Sequence, residues 1–182
     1  DGKMGEIYYA KCGWVRRRGI PGKGGWFTTK ELSGGGPLID LGVHMMDLTI
    51  WLMGNPRPVS VVGSTYSKFG QSQTLADSVN AAFGDAKEDG IYNVEDLATG
   101  YIKFDNGATM TVEFSWAENI ERENRYYELM GTKAGARWHS SYFDSKLSIF
   151  SEEQGITTDL QPNFKKSGKR EQHAGNLDHV VD

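Results

Sequence analysis

The sequence predicts a single α+β domain, an antiparallel sheet of five or six strands with one buried helix. Two observations indicate this fold class. Segments rich in β-forming residues recur along the 182 residues and are separated by glycine and asparagine turn signals. One long apolar run, by contrast, has a helix start signal before it and helix stop signals after it. No internal repeat is visible, and the length suits one domain with a substantial core.

The first third of the chain is predicted to hold one strand, one long loop and the helix. Residues 5–15 alternate loosely and are rich in β-formers, which indicates a strand. The glycine-rich residues 16–36 follow as a connection without a clear period, and such long connections are usually functional. Residues 37–53 are predicted to be helical, because Pro37 suits a first helical position and Gly54 stands just beyond the end.

The rest of the chain is predicted to be mainly β-structure. The clearest hairpin joins residues 101–104 to residues 109–116 through the turn Asp105-Asn106-Gly107. Further strands are expected in VSVVGSTYSKF and KLSIFSEE, and RYYELMGTKAGARWH is expected to form a strand pair around Gly131 to Gly135. Residues 70–93 are polar without a period, which indicates an insertion or excursion, and residues 173–182 are expected to begin a helix.

Alternation in this hairpin separates an apolar face from a polar one. The apolar face holds Ile102, Phe104, Met110, Val112 and Phe114. The other face holds Tyr101, Lys103, Thr109, Thr111 and Glu113. We therefore expect one sheet face to lie on the core, while the polar face is compatible with solvent.

Composition and charge exclude several classes of protein. The net charge of -4 offers no basic surface for nucleic acid or for an anionic membrane. The sequence contains no stretch of about 18 apolar residues, the length needed to cross a bilayer. Its first residues lack the apolar core of a signal peptide. Cys12 is the only cysteine, so no intrachain disulfide can form. These features predict a cytoplasmic protein.

Three ionisable residues interrupt the apolar helix at a regular spacing. Asp40, His44 and Asp47 stand at i, i+4 and i+7, so they share one helix face. Burying carboxylates and an imidazole is costly unless they are paired or face a wet pocket. The pattern therefore predicts a helix that is buried almost all round, with one polar stripe toward a pocket. Gly42 is expected to leave room there for a ligand or another backbone.

The chemistry of this stripe has more than one interpretation. Asp40 and His44 form a workable acid/base unit, because a carboxylate can orient an imidazole that exchanges a proton near neutral pH. Either residue could equally be a satisfied structural group, and Asp47 is interpreted as structural. A third interpretation makes Asp40, His44 and Asp47 ligands of a divalent metal. Three ligands on one helix can rarely all reach one ion, so no metal is predicted.

The segment GGGPLIDLGVHMMDLTIWLMG resembles the signature helix of the Gfo/Idh/MocA oxidoreductases. The likeness extends to GEIYYAKCGWVRRRG, to VEDLATGYIKFDNGATMTVEFSWA and to ELMGTKAGARW, and so covers nearly the whole chain except residues 70–93. The resemblance implies the C-terminal domain of such an enzyme, with an open-faced, mostly antiparallel sheet packed on helices. Residues 1–182 would then form a substrate-binding, catalytic and oligomerisation domain.

The resemblance also implies a reaction and a cofactor. In that family the motif histidine is the acid/base for a sugar or cyclitol hydroxyl, and the aspartate four residues earlier assists it; both positions match, as His44 and Asp40. The implied reaction is hydride transfer between NAD or NADP and the hydroxyl carbon of a sugar, cyclitol or related polyol. Family members commonly pair through the open sheet face, which implies a homo-oligomer.

The dinucleotide-binding half is expected to lie outside this chain. Neither PGKGGWF nor SGGGPL has the Gly-x-Gly-x-x-Gly spacing or the strand–turn–helix context of a Rossmann domain. The family's Glu-Lys-Pro segment is also absent from the sequence. We therefore expect a C-terminal portion of a longer enzyme that would not turn over by itself. A non-catalytic oligomerisation or regulatory module of the same fold is the alternative.

Three residues near the motif in sequence are candidates for substrate binding. Lys11 and Arg17 could donate to hydroxyls, and the face of Trp26 suits the apolar side of a sugar ring. The alternative is a solvated basic strand end and an anchoring loop aromatic. Gly34-Gly35-Gly36 could likewise cradle an anion at a helix N-terminus or allow tight passage of the backbone beside the nicotinamide or the other domain.

Overall fold

The computed structural model describes residues 2–71, 84–140 and 145–163. Within them the chain forms one eight-stranded sheet and one long helix. The strands are β1 (Ile7–Val15), β2 (Pro58–Tyr66), β3 (Leu97–Phe104), β4 (Thr109–Ser115), β5 (Asn124–Gly131), β6 (Ala134–Ser140), β7 (Ser145–Glu153) and β8 (Ile156–Leu160). The helices are a single turn α1 (Lys30–Ser33) and α2 (Val43–Leu52), which continues directly from a π-helical turn, Leu38–Gly42.

The strand order across the sheet is β2-β3-β4-β1-β5-β6-β7-β8. Every neighbouring pair is antiparallel except β1 and β4, which run parallel. Strand β1 thus lies between the β3–β4 hairpin and the meander of β5 to β8. The chain leaves β1 and returns to β4 through the segment that contains the helix, because parallel neighbours need such a crossover. The predicted α+β class with a mostly antiparallel sheet is confirmed.

The predicted strands and the helix are all present, but the strand count was too low. The missed strand, β8, pairs with β7 through a turn in which Gln154 and Gly155 both have positive φ. That turn has the backbone of a tight hairpin without the asparagine–glycine sequence that signals one. Residues 84–93, within the predicted excursion, contain no helix or strand. The expected C-terminal helix lies outside the described residues.

The core lies between the helix and one face of the sheet. Five side chains of this core are completely buried: Ala10 and Cys12 of β1, Met110 and Phe114 of β4, and Trp116 just after β4. Burial in this apolar layer raises the pKa of the Cys12 thiol to about 12. The start of the helix approaches this layer closely, because Gly42 has no side chain and lies buried against the ring of Phe114. A Cβ at Gly42 would stand 3.0 Å from Phe114. Gly42 therefore makes room for a side chain of the sheet, where a ligand or another backbone was expected.

The glycines of the long loop serve backbone-to-backbone packing. A Cβ on Gly24 would meet the carbonyl oxygen of Lys87 at 2.0 Å, and one on Gly90 would meet the carbonyl oxygen of Gly24 at 1.9 Å. The buried hydroxyl of Thr28 accepts from the Gly24 amide and donates to the Ile91 carbonyl, both at 2.8 Å. The glycine-rich loop is thus joined tightly to residues 84–91.

The opposite face of the sheet is open and polar. Nζ of Lys11 lies 3.3 Å from the carboxylate of Glu128, and the Tyr126 hydroxyl donates to Glu113 at 2.6 Å. The Tyr126 ring lies over Gly13, where a Cβ would come within 2.6 Å of it. The predicted division of the hairpin into a buried and a polar face is confirmed. No helix among the described residues is long and apolar enough to span a membrane.

Candidate active site

The triple glycine before the helix provides a tight passage of the backbone. Gly36 is buried, and a Cβ on it would meet the carbonyl oxygen of Glu95 at 2.1 Å. Its own carbonyl oxygen accepts from the amides of Ile39 and Asp40, both at 3.1 Å, which starts the helix. Gly36 therefore packs tightly against Glu95 of this domain, whereas anion binding and passage beside a nicotinamide or another domain stay predictions.

Asp40 lies in the π-helical turn and is held by the sheet. The indole Nε1 of Trp116, at the end of β4, donates a hydrogen bond of 2.8 Å to Oδ2 of Asp40. Trp116 is 0% exposed, whereas Asp40 is half-buried. One carboxylate oxygen is thus oriented by a rigid buried donor. Single-turn π-helical segments occur frequently at functional sites, because they change the direction of side chains within a helix.

His44 follows one turn later and is exposed. Its ring lies 6.4 Å, centroid to centroid, from the ring of Trp14 on β1, at an angle of 50°. Asp40 and His44 do not hydrogen-bond each other in the described structure. Asp40 therefore does not orient the imidazole through direct contact, as the spacing had suggested; the π-helical turn between them alters the regular i, i+4 relation.

The predicted burial of the helix is wrong in its extent. The buried stripe consists of Leu41, Met45, Thr49 and Met53, at four-residue spacing. Outside it Ile39 and Val43 are each 48% exposed and Trp51 is 41% exposed. Helix α2 is apolar on more than one side although the sheet covers only one. Asp47 is exposed and makes no hydrogen bond or ion pair within the described residues. The structural role predicted for it therefore has no contact there to support it.

A charged and aromatic cluster surrounds Trp14, beside His44. Its indole Nε1 donates to Oε1 of Glu123 at 2.7 Å, and Nε of Arg16 lies 3.8 Å from that same oxygen. The guanidinium carbons of Arg16 and Arg125 lie 5.1 Å and 5.0 Å from the centre of the Trp14 ring. Cations attract the electron-rich face of an indole. The cluster thus places two arginines and one glutamate around a single aromatic ring next to His44.

These neighbours were not predicted as functional from the sequence. Trp14 lies on the same face of β1 as the buried Cys12, two positions earlier, and Trp116 was interpreted as sheet packing. Both indoles are largely removed from water, and a buried indole N–H usually finds an acceptor. That requirement is the only signal in the sequence that could have indicated their carboxylate partners, and it does not say which carboxylates.

The three predicted substrate residues are not grouped around the pair. Lys11 alternates with Ala10 and Cys12 and lies on the open sheet face, opposite the helix, where it pairs with Glu128. Its side chain therefore points away from the sheet face that carries the helix and His44. Arg17 is exposed and donates from Nη1 to the carbonyl oxygen of Glu121 at 3.1 Å. Trp26 is 55% exposed, and its ring meets Phe27 edge-on at 4.6 Å.

The described residues contain no metal-binding group of three. Neither Asp40, His44 and Asp47 nor any other set of histidine, cysteine, aspartate and glutamate side chains converges closely enough among them. One oxygen of Asp40 is already occupied by the Trp116 indole. The geometry of residues 2–71, 84–140 and 145–163 therefore gives the metal interpretation no support.

The arrangement of sheet and helix has known relatives. The family model described as the GFO/IDH/MocA C-terminal domain matches residues 1–137. The chain belongs to the Gfo/Idh/MocA family. Within this Gfo/Idh/MocA domain the matched part includes the glycine-led helix, β1 and the strands up to the start of β6. The fold expected from the resemblance is confirmed.

Curated relatives of this Gfo/Idh/MocA domain include two sugar-related proteins. D-glucoside 3-dehydrogenase of Escherichia coli (strain K12) is 39% identical over 137 residues, which is 75% of this chain and 37% of that protein. The putative UDP-kanosamine synthase oxidoreductase subunit of Amycolatopsis mediterranei (strain S699) is 35% identical over 135 residues, 74% of this chain and 37% of its own length. The chain therefore spans little more than a third of these relatives.

Solved structures share the fold over a larger part of the chain. Levoglucosan dehydrogenase in complex with NADH has a TM-score of 0.72 at 15% identity, over 98% of this chain and 48% of that one. An oxidoreductase domain protein from Kribbella flavida has a TM-score of 0.71 at 20% identity, over 100% of this chain and 49% of that one. At such identities the likeness establishes the fold alone.

Proposed function

We propose that this domain carries the substrate site and the proton chemistry of an NAD(P)-dependent sugar oxidoreductase. The observation that supports this most directly is the position of two side chains one helical turn apart. His44 is an exposed imidazole, and Asp40, one turn before it, is held by a hydrogen bond from the buried Trp116. Two relatives, D-glucoside 3-dehydrogenase and levoglucosan dehydrogenase, are named as dehydrogenases of sugars. The substrate class is a sugar, cyclitol or related polyol with a secondary hydroxyl.

His44 is the proposed acid/base of this reaction. In the direction of oxidation its imidazole nitrogen takes the proton of the substrate hydroxyl as that oxygen becomes a carbonyl, and in reduction it returns the proton. An exposed imidazole can pass this proton on to solvent. Asp40 lies one turn away and shares no hydrogen bond with the imidazole in the described structure.

The chain's surface beside His44 fits a nicotinamide ring. Ile39 and Val43 are each 48% exposed and flank the same part of the helix, so they offer apolar contact to a flat ring. When bound, the nicotinamide would accept or donate the hydride. NAD or NADP is proposed to be bound mainly by a separate dinucleotide-binding domain, because this sequence lacks the Gly-x-Gly-x-x-Gly motif. By itself the chain is proposed to bind ligands without turnover.

Arg17 and Trp26 remain proposed substrate contacts. Trp26 exposes more than half of its surface and keeps its ring rigid against Phe27, as a stacking platform for a sugar would. Arg17 has one guanidinium nitrogen bonded to a carbonyl oxygen and retains further donors for hydroxyls. Lys11 is left out of this site because its side chain lies on the other face of the sheet.

The open sheet face is the proposed surface for pairing two copies. Its centre combines polar groups, such as Tyr126 and Glu113, with shallow depressions of about 430 Å³ and about 550 Å³. At one margin Val62 is 74% exposed and Tyr101 is 39% exposed. Pairing around a two-fold axis would bring this same face of each copy together. Cytoplasmic location remains a prediction.

The test of the proposed function uses the domain joined to a dinucleotide-binding domain. The wild-type enzyme should reduce NAD or NADP with at least one member of a panel of glycosides and cyclitols. His44→Ala should lower kcat by about 10²-fold or more with little change in cofactor Kd. Asp47→Asn, on the same exposed helix side, is the matched control and should leave kcat unchanged.

Two results would contradict the proposal. Unchanged turnover in His44→Ala would remove that residue from the mechanism. Failure of the joined protein both to bind NAD(P) and to oxidise any member of the panel would favour the non-catalytic module instead.

A further inference from the structure

Arg125, on β5, has a buried side-chain nitrogen without an acceptor among the described residues. That nitrogen is Nε, and no described group accepts a hydrogen bond from it. Within the same residues the side chain has no ion pair, and its guanidinium carbon lies 5.0 Å from the centre of the Trp14 ring. A buried donor that stays unpaired costs free energy, so such a group indicates a missing acceptor.

The other described arginines lack this combination of burial and missing acceptor. Arg16 lies near Glu123, while Arg17 and Arg18 donate to carbonyl oxygens of the segment that follows β4. Arg57 lies 3.4 Å from Asp105. Arg122 and Arg137 are exposed, so water accepts hydrogen bonds from those guanidinium N–H groups that no protein oxygen reaches. Arg125 alone in this set is half-buried and has no oxygen partner.

Arg125 adds a second cation, beside Arg16, to the cluster around Trp14. Oε1 of Glu123 accepts from the Trp14 indole and lies 3.8 Å from Nε of Arg16. Among the described residues no ion pair involves Arg125. A carboxylate matches a guanidinium in both charge and planar geometry, which a neutral hydroxyl does not.

The distances place this cation beside the proposed proton carrier. The Trp14 ring lies 6.4 Å from the His44 ring and 5.0 Å from the Arg125 guanidinium carbon, so these two groups are at most about 11 Å apart. One sugar ring with a charged substituent spans such a distance. Its hydroxyl would reach the imidazole while its carboxylate reaches the guanidinium.

We propose that Arg125 is a specificity-determining residue that binds a carboxylate on the substrate, so that the site selects acidic sugars such as uronides over neutral glycosides. The location of this site rests on the proposed function, since His44 defines where the sugar hydroxyl reacts. The binding selectivity, however, requires no redox step and can be measured without a cofactor.

Calorimetry on the 182-residue chain compares methyl glucuronide with methyl glucoside, which differ only in the carboxylate. Wild type should bind the glucuronide at least about tenfold more tightly, the size of one charge-assisted hydrogen bond. Arg125→Met, which retains the aliphatic length, should abolish the difference, whereas Arg125→Lys should retain part of it. Arg137→Met, on the open sheet face, removes the same charge and should leave the preference intact.

The outcomes separate this inference from the proposed function. Equal affinity for both ligands in the wild type, no binding of the glucuronide, or a preference that persists in a folded Arg125→Met variant would overturn the role of Arg125. Turnover of neutral glycosides by the joined enzyme, with no preference for the uronide, would overturn it while leaving the proposed function standing. Thermal unfolding of each variant checks that the fold is retained, and Arg125→Lys provides the reading if Arg125→Met does not fold.

Discussion

The indole N–H of Trp116 donates to the carboxylate of Asp40 over 2.8 Å and joins the end of β4 to the first turn of the helix. The two residues are 76 positions apart in sequence. The bond connects a completely buried side chain with a half-exposed one, so the sheet determines where the carboxylate points. This relation makes Trp116 a positioning residue for the proposed site.

Trp116→Phe should remove this donor while retaining most of the packing. In the joined enzyme we expect kcat to fall severalfold, because Asp40 loses its fixed orientation next to His44. The pH profile of kcat should shift along with it, which a purely structural loss would not produce. Steady-state kinetics across pH measures both.

A double-mutant cycle with Asp40→Asn separates coupling from general damage. If the two changes add independently in log kcat, the bond has no role in positioning the carboxylate. Trp26→Phe serves as the control tryptophan, with the expectation of a changed KM and an unchanged pH profile.

Gly36→Ala should destabilise the domain strongly. Its Cβ would lie 2.1 Å from the carbonyl oxygen of Glu95, and a backbone atom cannot move away as a side chain can. We expect a loss of about 1–3 kcal/mol or more in the free energy of unfolding. Gly135→Ala is matched to it, since its Cβ would find its nearest atom at 3.3 Å. Urea unfolding compares the two, and equal losses would show that the close approach at Glu95 is not what requires glycine.

The thiol of Cys12 should be inert in the folded protein. Burial raises its pKa to about 12, so the reactive thiolate is scarce at neutral pH. Because this folded pKa lies above the ordinary value of 9.0, the stabilising contribution is complete below pH 9 and declines from there toward pH 12. Cys12→Ala should therefore reduce the alkaline loss of stability in that window.

Labelling with a thiol reagent at pH 8 gives the direct check for Cys12. Rapid reaction without unfolding would contradict the burial, and an unchanged alkaline unfolding profile in Cys12→Ala would contradict the linkage. The half-buried Tyr127, whose pKa is likewise raised by burial to about 12, contributes in the same direction and remains in both proteins.

Val62 and Val61 allow the proposed pairing of two copies to be tested one sheet face at a time. They are adjacent on β2 and are 74% and 64% exposed. Val62 lies opposite Tyr101 on the open face, whereas Val61 lies opposite the buried Ile102 on the helix side. If pairing uses the open face, Val62→Asp should dissociate the oligomer and Val61→Asp should not. Sedimentation velocity measures this, and an oligomer insensitive to Val62→Asp would exclude that surface.

Local sequence signals were sufficient for most of the secondary structure and for the two residues of the proposed catalytic pair. The turn Asp105-Asn106-Gly107 predicted the β3–β4 hairpin, because glycine readily adopts the positive φ that other residues avoid. Gly107 has a φ of 87°. The signal for β8 was absent, since Gln154 adopts positive φ without being a residue type that favours it. Helix burial was overestimated, because composition does not say how many sides of a helix the sheet covers.

The sequence by itself determined the α+β class, the position of the helix and the presence of Asp40 and His44 upon it, because hydrophobic periodicity and turn chemistry act over a few residues. Only the tertiary structure decided that Lys11 faces away from the helix, that Gly42 makes room for Phe114, and that Trp116 holds Asp40. These relations depend on strand register and on contacts between distant segments. A one-residue change of register would reverse the face of every strand residue, and no local pattern specifies which distant carboxylate a buried indole will meet.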